Sequence, residues 1–321
     1  MILSVLYLAF GAIAIMWGAD KLTDGSSALA KKLHVSDLVI GLTVVAMGSS
    51  LPEFSVSLFS SLKGSAGMSA GNIVGSNLFN TLVIVGVVAM ISPLKVTKST
   101  VFKDIPFTLI ASCALMFLLK DMFFSGQTVD VLSRADGMVL LLFFAIFMAY
   151  TFSMALNGKS SEMLESEAEV EQMPGWKIML YILIGFAALI LGGEFFVDGA
   201  SELARILGVS ETVIGLTILA AGTSLPELAA SVIAARKGAA GMAIGNVVGS
   251  CLFNIFFILG VCSTVSPMTV SDVDMVQLLA LVGSGFMLFV FSYTNLEVKR
   301  WEGCVLTLSY IAFIAYTVIY S

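Results

Sequence analysis

The chain is 321 residues long, 58% hydrophobic and only 12% charged, with a net charge of −6 and a mean hydropathy of +1.01. A water-soluble globular chain is about 25% charged, so an ordinary soluble enzyme and a disordered chain are both excluded. Sixteen scattered Lys and Arg are too few to track nucleic-acid phosphates. What remains is an all-α polytopic membrane protein.

Apolar stretches long enough to cross a hydrocarbon core of about 30 Å follow one another along the chain. The predicted spans are Ile2–Ala19, Leu38–Leu62, Met68–Ile91, Ile105–Leu119 and Gly137–Leu156, then Trp176–Phe196, Val213–Ala235, Met242–Val265, Val273–Tyr293 and Trp301–Tyr320. Lipid offers no partners to unpaired backbone groups, so these ten spans should be helices. With the N-terminus outside, the exterior segments carry only four basic residues, Lys63, Lys120, Arg134 and Arg205, and the other twelve fall inside. The positive-inside rule selects that orientation. Both termini then face the exterior of a cell (inner or plasma) membrane.

Between spans five and six lies the polar stretch Asn157–Pro174, which carries Glu162, Glu165, Glu167, Glu169 and Glu171. It lacks the pattern of an EF-hand loop and reads as a solvated cytoplasmic linker. The expected organisation is therefore residues 1–157 as a first five-helix unit, 158–174 as the acidic linker and 175–321 as a second five-helix unit.

The two units repeat each other. GLTVVAMGSSLPE at 41–53 matches GLTILAAGTSLPE at 215–227, and KGSAGMSAGNIVGSNLFN at 63–80 matches KGAAGMAIGNVVGSCLFN at 237–254, at a constant offset of 174 residues. Five spans is an odd number, so the second copy must enter the membrane from the opposite side. Inverted repeats of this kind mark secondary transporters, with the substrate site near the midplane.

Glu53 and Glu227 fall in the middle of spans two and seven. A carboxylate at that depth costs at least about 2.5–3.5 kcal/mol, and no Lys or Arg lies at the same depth in any span, so the counter-charge must come from solution as cations or protons. Each Glu follows a proline, Pro52 or Pro226. Proline inside a helix frees the carbonyl four residues back, here those of Gly48 and Gly222. Carbonyls, hydroxyls and a carboxylate are hard oxygen ligands suited to Ca²⁺ and Na⁺. Spans three and eight add Asn72, Ser76 and Asn80, and Asn246, Ser250 and Asn254, each trio on one helix face. Ser76, Asn80, Ser250 and Asn254 are candidate ion-lining residues, whereas Asn72 and Asn246 can equally act as interhelical glue. Gly71 with Gly75 and Gly245 with Gly249 suit close helix approach.

Other polar residues read as structural. Asp24 and Asp198, ahead of GSSALAKKL and GASELARIL, suit helix N-caps. Cys113, Cys251, Cys262 and Cys304 are read as buried hydrophobes and His34 as a loop residue, neither at metal-ligand spacing. Neither a cofactor nor a hydrolytic constellation is expected, so the chain is read as a non-enzyme.

GSSLPE with GNIVGSNLFN, and GTSLPE with GNVVGSCLFN, resemble the paired alpha-repeats of the sodium/calcium exchanger family, within the cation/Ca²⁺ exchanger superfamily, in a prokaryotic-type member. The resemblance implies a core of spans two, three, seven and eight around four cation sites, past which spans one and six slide. It implies that Glu53 and Glu227 bind Ca²⁺ and share Na⁺, with carbonyls of Ser49 and Thr223 at the calcium site. Carbonyls of Ala46 and Ala220 and hydroxyls of Ser50, Ser76, Ser224 and Ser250 would form flanking Na⁺ sites, and Asn80 and Asn254 the middle. Some prokaryotic members have Asp where this chain has Asn254.

The function expected is a secondary antiporter exchanging Na⁺ for Ca²⁺ by alternating access, working as a monomer in the lipid bilayer. The alternative on the same scaffold is a Ca²⁺/H⁺ antiporter, or a K⁺-dependent Na⁺/Ca²⁺ exchanger. A passive channel is disfavoured because channels usually gather several identical subunits around a pore.

Overall fold

In a computed structural model of the full chain, residues 2–63, 66–126, 129–156, 173–208, 220–270 and 273–320 are described. The acidic linker up to residue 172 and the first part of the seventh predicted span, residues 213–219, lie outside them. The described residues are helical apart from four two-residue strands and short connections. Among the described residues, eight helices are long and apolar enough to cross a membrane: α1 (Ile2–Leu33), α4 (Ser69–Ile91), α5 (Thr100–Leu119), α6 (Arg134–Leu156), α7 (Gly175–Ile206), α9 (Ala240–Val265), α10 (Met275–Tyr293) and α11 (Arg300–Ile319). A ninth span is made by α2 (Asp37–Ser49) and α3 (Leu51–Leu62), bent by 47° at their junction. Helix α8 (Leu225–Arg236) follows a short helical turn at Ala220–Gly222.

Helices α4 and α9 are the centre of the molecule. Their apolar windows are 78% and 83% buried, against 17% for α6 and α11. The outer helices turn Ile13, Leu142, Phe152, Leu308 and other large apolar side chains outward, as a lipid-facing surface requires.

Packing is set largely by glycine. On α1, a Cβ added at Gly11 would meet the backbone of Gly192 and Phe196, and one at Gly18 the backbone of Gly185 and Leu189. From α7, a Cβ at Gly199 would meet Ser4 and Leu8. Contact positions that rise on one helix fall on the other, so α1 and α7 run antiparallel with their backbones nearly touching. These are the same sequence positions in the two repeats, since Gly11, Gly18 and Gly25 stand 174 residues before Gly185, Gly192 and Gly199. Gly245 and Gly249 of α9 likewise lie against the backbone of Leu38 and Leu42 on α2, the close approach that their spacing suggested, whereas a Cβ at Gly71 or Gly75 would meet nothing within 4 Å among the described residues.

The short strands tie the two halves together. Leu94–Lys95 (β1) pairs with Glu297–Val298 (β4), and Val131–Leu132 (β2) pairs with Met268–Thr269 (β3), both antiparallel. Each ladder joins a first-half segment to a second-half one. Beside β2, Asp130 accepts from Lys120 Nζ and from the Met122 N–H, both at 2.8 Å. Within the bundle, the Tyr150 hydroxyl of α6 donates to buried Asp104 of α5 at 2.9 Å.

Three expectations need correction. Asp24 and Asp198 are not N-caps, because α1 and α7 run uninterrupted through them. The residues after Ala19 stay helical, and Lys237 Nζ, from the turn after α8, sits 2.6 Å from both Asp20 and Asp24. Asp24, with Asp20, therefore pins α1 to the end of α8 instead of starting a helix. Of the cysteines, Cys251 and Cys262 are buried, but Cys113 is half-buried and Cys304 exposed on the outer helix α11.

Candidate cation site

The site begins at two helix breaks with the same cause. Pro52 has no N–H to give the Gly48 carbonyl, so the α2 hydrogen-bond ladder cannot run on into α3. The chain breaks at Ser50 (φ −83°, ψ 11°) and restarts with Pro52 in the first turn of α3, where proline is tolerated. Ser224, before Pro226, has almost the same backbone (φ −93°, ψ 7°) at the start of α8. Glu53 and Glu227 consequently occupy first turns, where the helix dipole favours negative charge. The C-terminal carbonyls of α2, which end at the same place, favour a cation.

Both carboxyl groups are fully buried, and each is held by a hydroxyl from the other repeat. Ser50 Oγ donates to Glu227 Oε1 at 2.9 Å, and Ser224 Oγ donates to Glu53 Oε1 at 3.0 Å. Ser76 Oγ lies 3.4 Å from Glu53 Oε1 and 3.1 Å from Ser224 Oγ. From α9, Ser250 Oγ donates to the Ala46 carbonyl at 3.4 Å. Ser49 Oγ donates to Asn246 Oδ1 at 3.2 Å. Among the described residues no ion pair reaches either glutamate.

Helices α4 and α9 each contain a π turn, Phe79–Ile84 and Phe253–Ile258, at equivalent repeat positions. Wide turns of this kind recur at functional sites. Asn80 and Asn254 are the second residues of the two turns, and both are buried. Asn254 Nδ2 donates to Ser76 Oγ at 3.3 Å and to Asn77 Oδ1 at 3.0 Å.

Among the described residues, several buried oxygens have no hydrogen-bond donor: Glu53 Oε2, Glu227 Oε2, Asn80 Oδ1 and Asn254 Oδ1. A buried carboxylate oxygen without a partner is costly. A desolvated cation supplies the missing charge, and these are hard oxygen donors of the kind that Ca²⁺ and Na⁺ take.

Of the sequence candidates, one hydrogen-bonded network gathers Glu53, Ser224, Ser76 and Asn254, and a second gathers Glu227 and Ser50 with Ser49, Ala46 and Ser250, joined through Asn246. Asn80 is buried on the π turn of α4, near the Cys251 thiol, and its amide atoms have no geometric hydrogen-bond partner among the described residues. Thr223 and Ala220 sit on the turn leading into Ser224. Asn72 and Asn246 do act across helices. Asn72 Nδ2 donates to Ser57 Oγ at 3.2 Å, and Asn246 Nδ2 donates to Ser231 Oγ at 2.9 Å and to the Glu227 carbonyl at 3.2 Å. Ser57 and Ser231 escaped notice, although each lies one turn after its Glu at matched repeat positions. Asn77 escaped notice because its repeat equivalent is Cys251.

A polytopic helical membrane protein with a buried, carboxyl-bearing, hard-oxygen site at its central helix breaks is the class that fold and site define. The family described as sodium/calcium exchanger protein matches residues 3–153 and 177–319, and this chain belongs to that family. It is 33% identical to the sodium/calcium exchanger MaX1 of Methanosarcina acetivorans, covering 96% of this chain and 97% of that one. It is 34% identical to the inner membrane protein YrbG of Escherichia coli over 83% of this chain and 81% of that one. A solved structure of the sodium-calcium exchanger NCX_Mj, soaked with Na⁺ and Sr²⁺, superposes with a TM-score of 0.81 at 35% identity, covering 98% of each chain.

Proposed function

We propose that this protein is a secondary antiporter that exchanges Na⁺ for Ca²⁺ by alternating access, with Glu53 and Glu227 as the shared charge of its cation sites. The observation that carries this reading is the crossed pair of buried glutamates, each bound to a hydroxyl of the other repeat and each keeping one oxygen without a partner. Its relatives named as sodium/calcium exchangers support Na⁺ and Ca²⁺ as the exchanged ions.

The mechanism follows from charge. Two carboxylates supply two negative charges in a pocket of low dielectric, where they cannot stay bare. One Ca²⁺ or several Na⁺ neutralise them, but the two sets compete for the same oxygens. Glu53, Glu227 and Asn254, with the carbonyls of Ser49 and Thr223, suit the divalent ion. Ala46 and Ala220 carbonyls with the hydroxyls of Ser50, Ser76, Ser224 and Ser250 suit the smaller charge of Na⁺, and Asn80 completes the middle. Movement with an empty, uncompensated pocket is disfavoured, which couples the two fluxes.

The architecture that serves this function is ten spans in two inverted repeats, residues 1–157 and 175–321, joined by a cytoplasmic linker at 158–174, with both termini outside. The antiparallel seam of α1 against α7, built from matched glycines, supports the inversion. It also makes those two helices the natural unit to slide past the α4–α9 core. The protein works as a monomer in this reading.

Radioactive Ca²⁺ uptake into proteoliposomes tests it. Uptake driven by an outward Na⁺ gradient, and absent from vesicles loaded with K⁺ or given only a pH gradient, is the expected result. Uptake driven by protons and indifferent to Na⁺ would replace this reading with Ca²⁺/H⁺ exchange, and a requirement for K⁺ beside Na⁺ with the K⁺-dependent variant.

A further inference from the structure

Amide side chains in a cation site pose an orientation problem. An asparagine turned one way offers an oxygen to the ion, and turned the other way it offers an N–H that repels it. The order in which the polar groups meet settles the orientation of Asn254. The Cys251 backbone carbonyl can only accept, and an Asn77 amide atom lies 3.1 Å from it, so that atom is the nitrogen Nδ2. The other Asn77 atom is then the oxygen Oδ1, and the Asn254 atom 3.0 Å from it is the nitrogen. Asn254 Oδ1 is the atom left over, buried and without a partner. The second neighbour of Asn254 Nδ2, Ser76 Oγ at 3.3 Å, accepts or donates equally well and imposes no direction. All four residues are buried.

We propose that Asn77 is a positioning residue that relays the fixed polarity of the Cys251 carbonyl to Asn254, so that Asn254 presents its oxygen to the cation site. This rests on the exchanger reading above. The repeat supplies an internal contrast. Cys251 stands at the position equivalent to Asn77 and offers only a weakly polar thiol. Asn80, the equivalent of Asn254, correspondingly has only the Cys251 thiol beside it, and neither of its amide atoms finds a geometric hydrogen-bond partner among the described residues. Orientation control is therefore one-sided, and it acts on the position where this chain carries an amide in place of a carboxylate. A carboxylate has two equivalent oxygens and needs no orienting, whereas an amide does.

That difference is the basis of the test. Half-saturating Ca²⁺ for Na⁺-driven uptake is measured in the wild type, Asn77→Ala, Asn254→Asp and the double variant, with Asn77→Leu in both backgrounds to retain the volume of the side chain. We expect loss of the Asn77 hydrogen bonds to raise half-saturating Ca²⁺ about fivefold in the Asn254 chain. In the Asn254→Asp chain the same change should produce less than about a twofold loss, or a gain, because Asn77 Oδ1 there faces another oxygen. An equal loss in both backgrounds, no loss in the first, or failure of the Asn77 variants to fold in both would overturn the proposal and make Asn77 a packing residue. Absence of Na⁺-driven uptake in the wild type would instead overturn the exchanger reading. Equilibrium binding of radioactive Ca²⁺ to the same proteins then still decides the role of Asn77 by the same pattern.

Discussion

Ser50 and Glu227 are 177 residues apart in the chain, yet the Ser50 hydroxyl donates to the Glu227 carboxyl at 2.9 Å, deep inside the molecule. The matching bond from Ser224 to Glu53 at 3.0 Å closes the exchange. Neither repeat therefore completes its own half of the site. Each glutamate is oriented by the helix break of the other copy, and the same proline that frees a carbonyl in one repeat also aims a hydroxyl into its partner.

Removing either hydroxyl should weaken cation binding without unfolding the protein. A hydrogen bond to a charged group contributes about 1.5–3 kcal/mol, so Ser50→Ala and Ser224→Ala should each raise half-saturating Ca²⁺ by about tenfold or more. Titration of uptake against external Ca²⁺ checks this. Equal effects from the two variants would match the near-equal bonds.

The seam between α1 and α7 gives a stability expectation. A Cβ at Gly18 would lie 2.9 Å from Ala188 Cβ, the Gly185 carbonyl oxygen and the Leu189 nitrogen. Overpacking a tight contact costs about 1–3 kcal/mol, so Gly18→Val should lower the melting temperature in detergent and slow transport, since the same seam carries the sliding pair. Gly283, with nothing near its Cβ position, should accept alanine with little change in either measurement.

Much of this could be read from the chain. The repeat offset, the proline-glutamate pairs and the amide-hydroxyl stripes each involve residues whose chemistry conflicts with lipid, so the conflict itself marked them. The fourth predicted span, short and flanked by charge, proved long enough once a π turn at Thr100–Asp104 was included. Backbone features were less legible. Hydropathy does not distinguish a π turn from an α turn, so the widening at Asn80 and Asn254 was invisible. Asp24, ahead of a small-residue stretch, looked like a cap because local pattern cannot reveal Lys237, over two hundred residues later, as its partner. Asn77 stayed hidden because the repeat had replaced its equivalent with Cys251.

Outside the spans, Asp130 gives a pH expectation. Burial acts to raise its carboxyl, but Lys120 and the Met122 N–H outweigh that and hold it below the usual carboxylate range. A carboxyl depressed by folding contributes stability that is present above its unfolded pKa and lost as pH falls through its folded one. The melting temperature of the wild type should therefore decline as pH drops below about 4. Asp130→Asn should start lower at neutral pH and show a smaller decline, as measured by thermal unfolding in detergent across that range.

Shared occupancy of the two glutamates is tested most directly by equilibrium Ca²⁺ binding to the purified protein at a series of Na⁺ concentrations. We expect Na⁺ to raise the apparent Kd for Ca²⁺ steeply without changing the number of Ca²⁺ bound, and Glu53→Gln or Glu227→Gln to abolish Ca²⁺ binding. Ca²⁺ binding indifferent to Na⁺, or retained in full by both glutamine variants, would contradict the shared site.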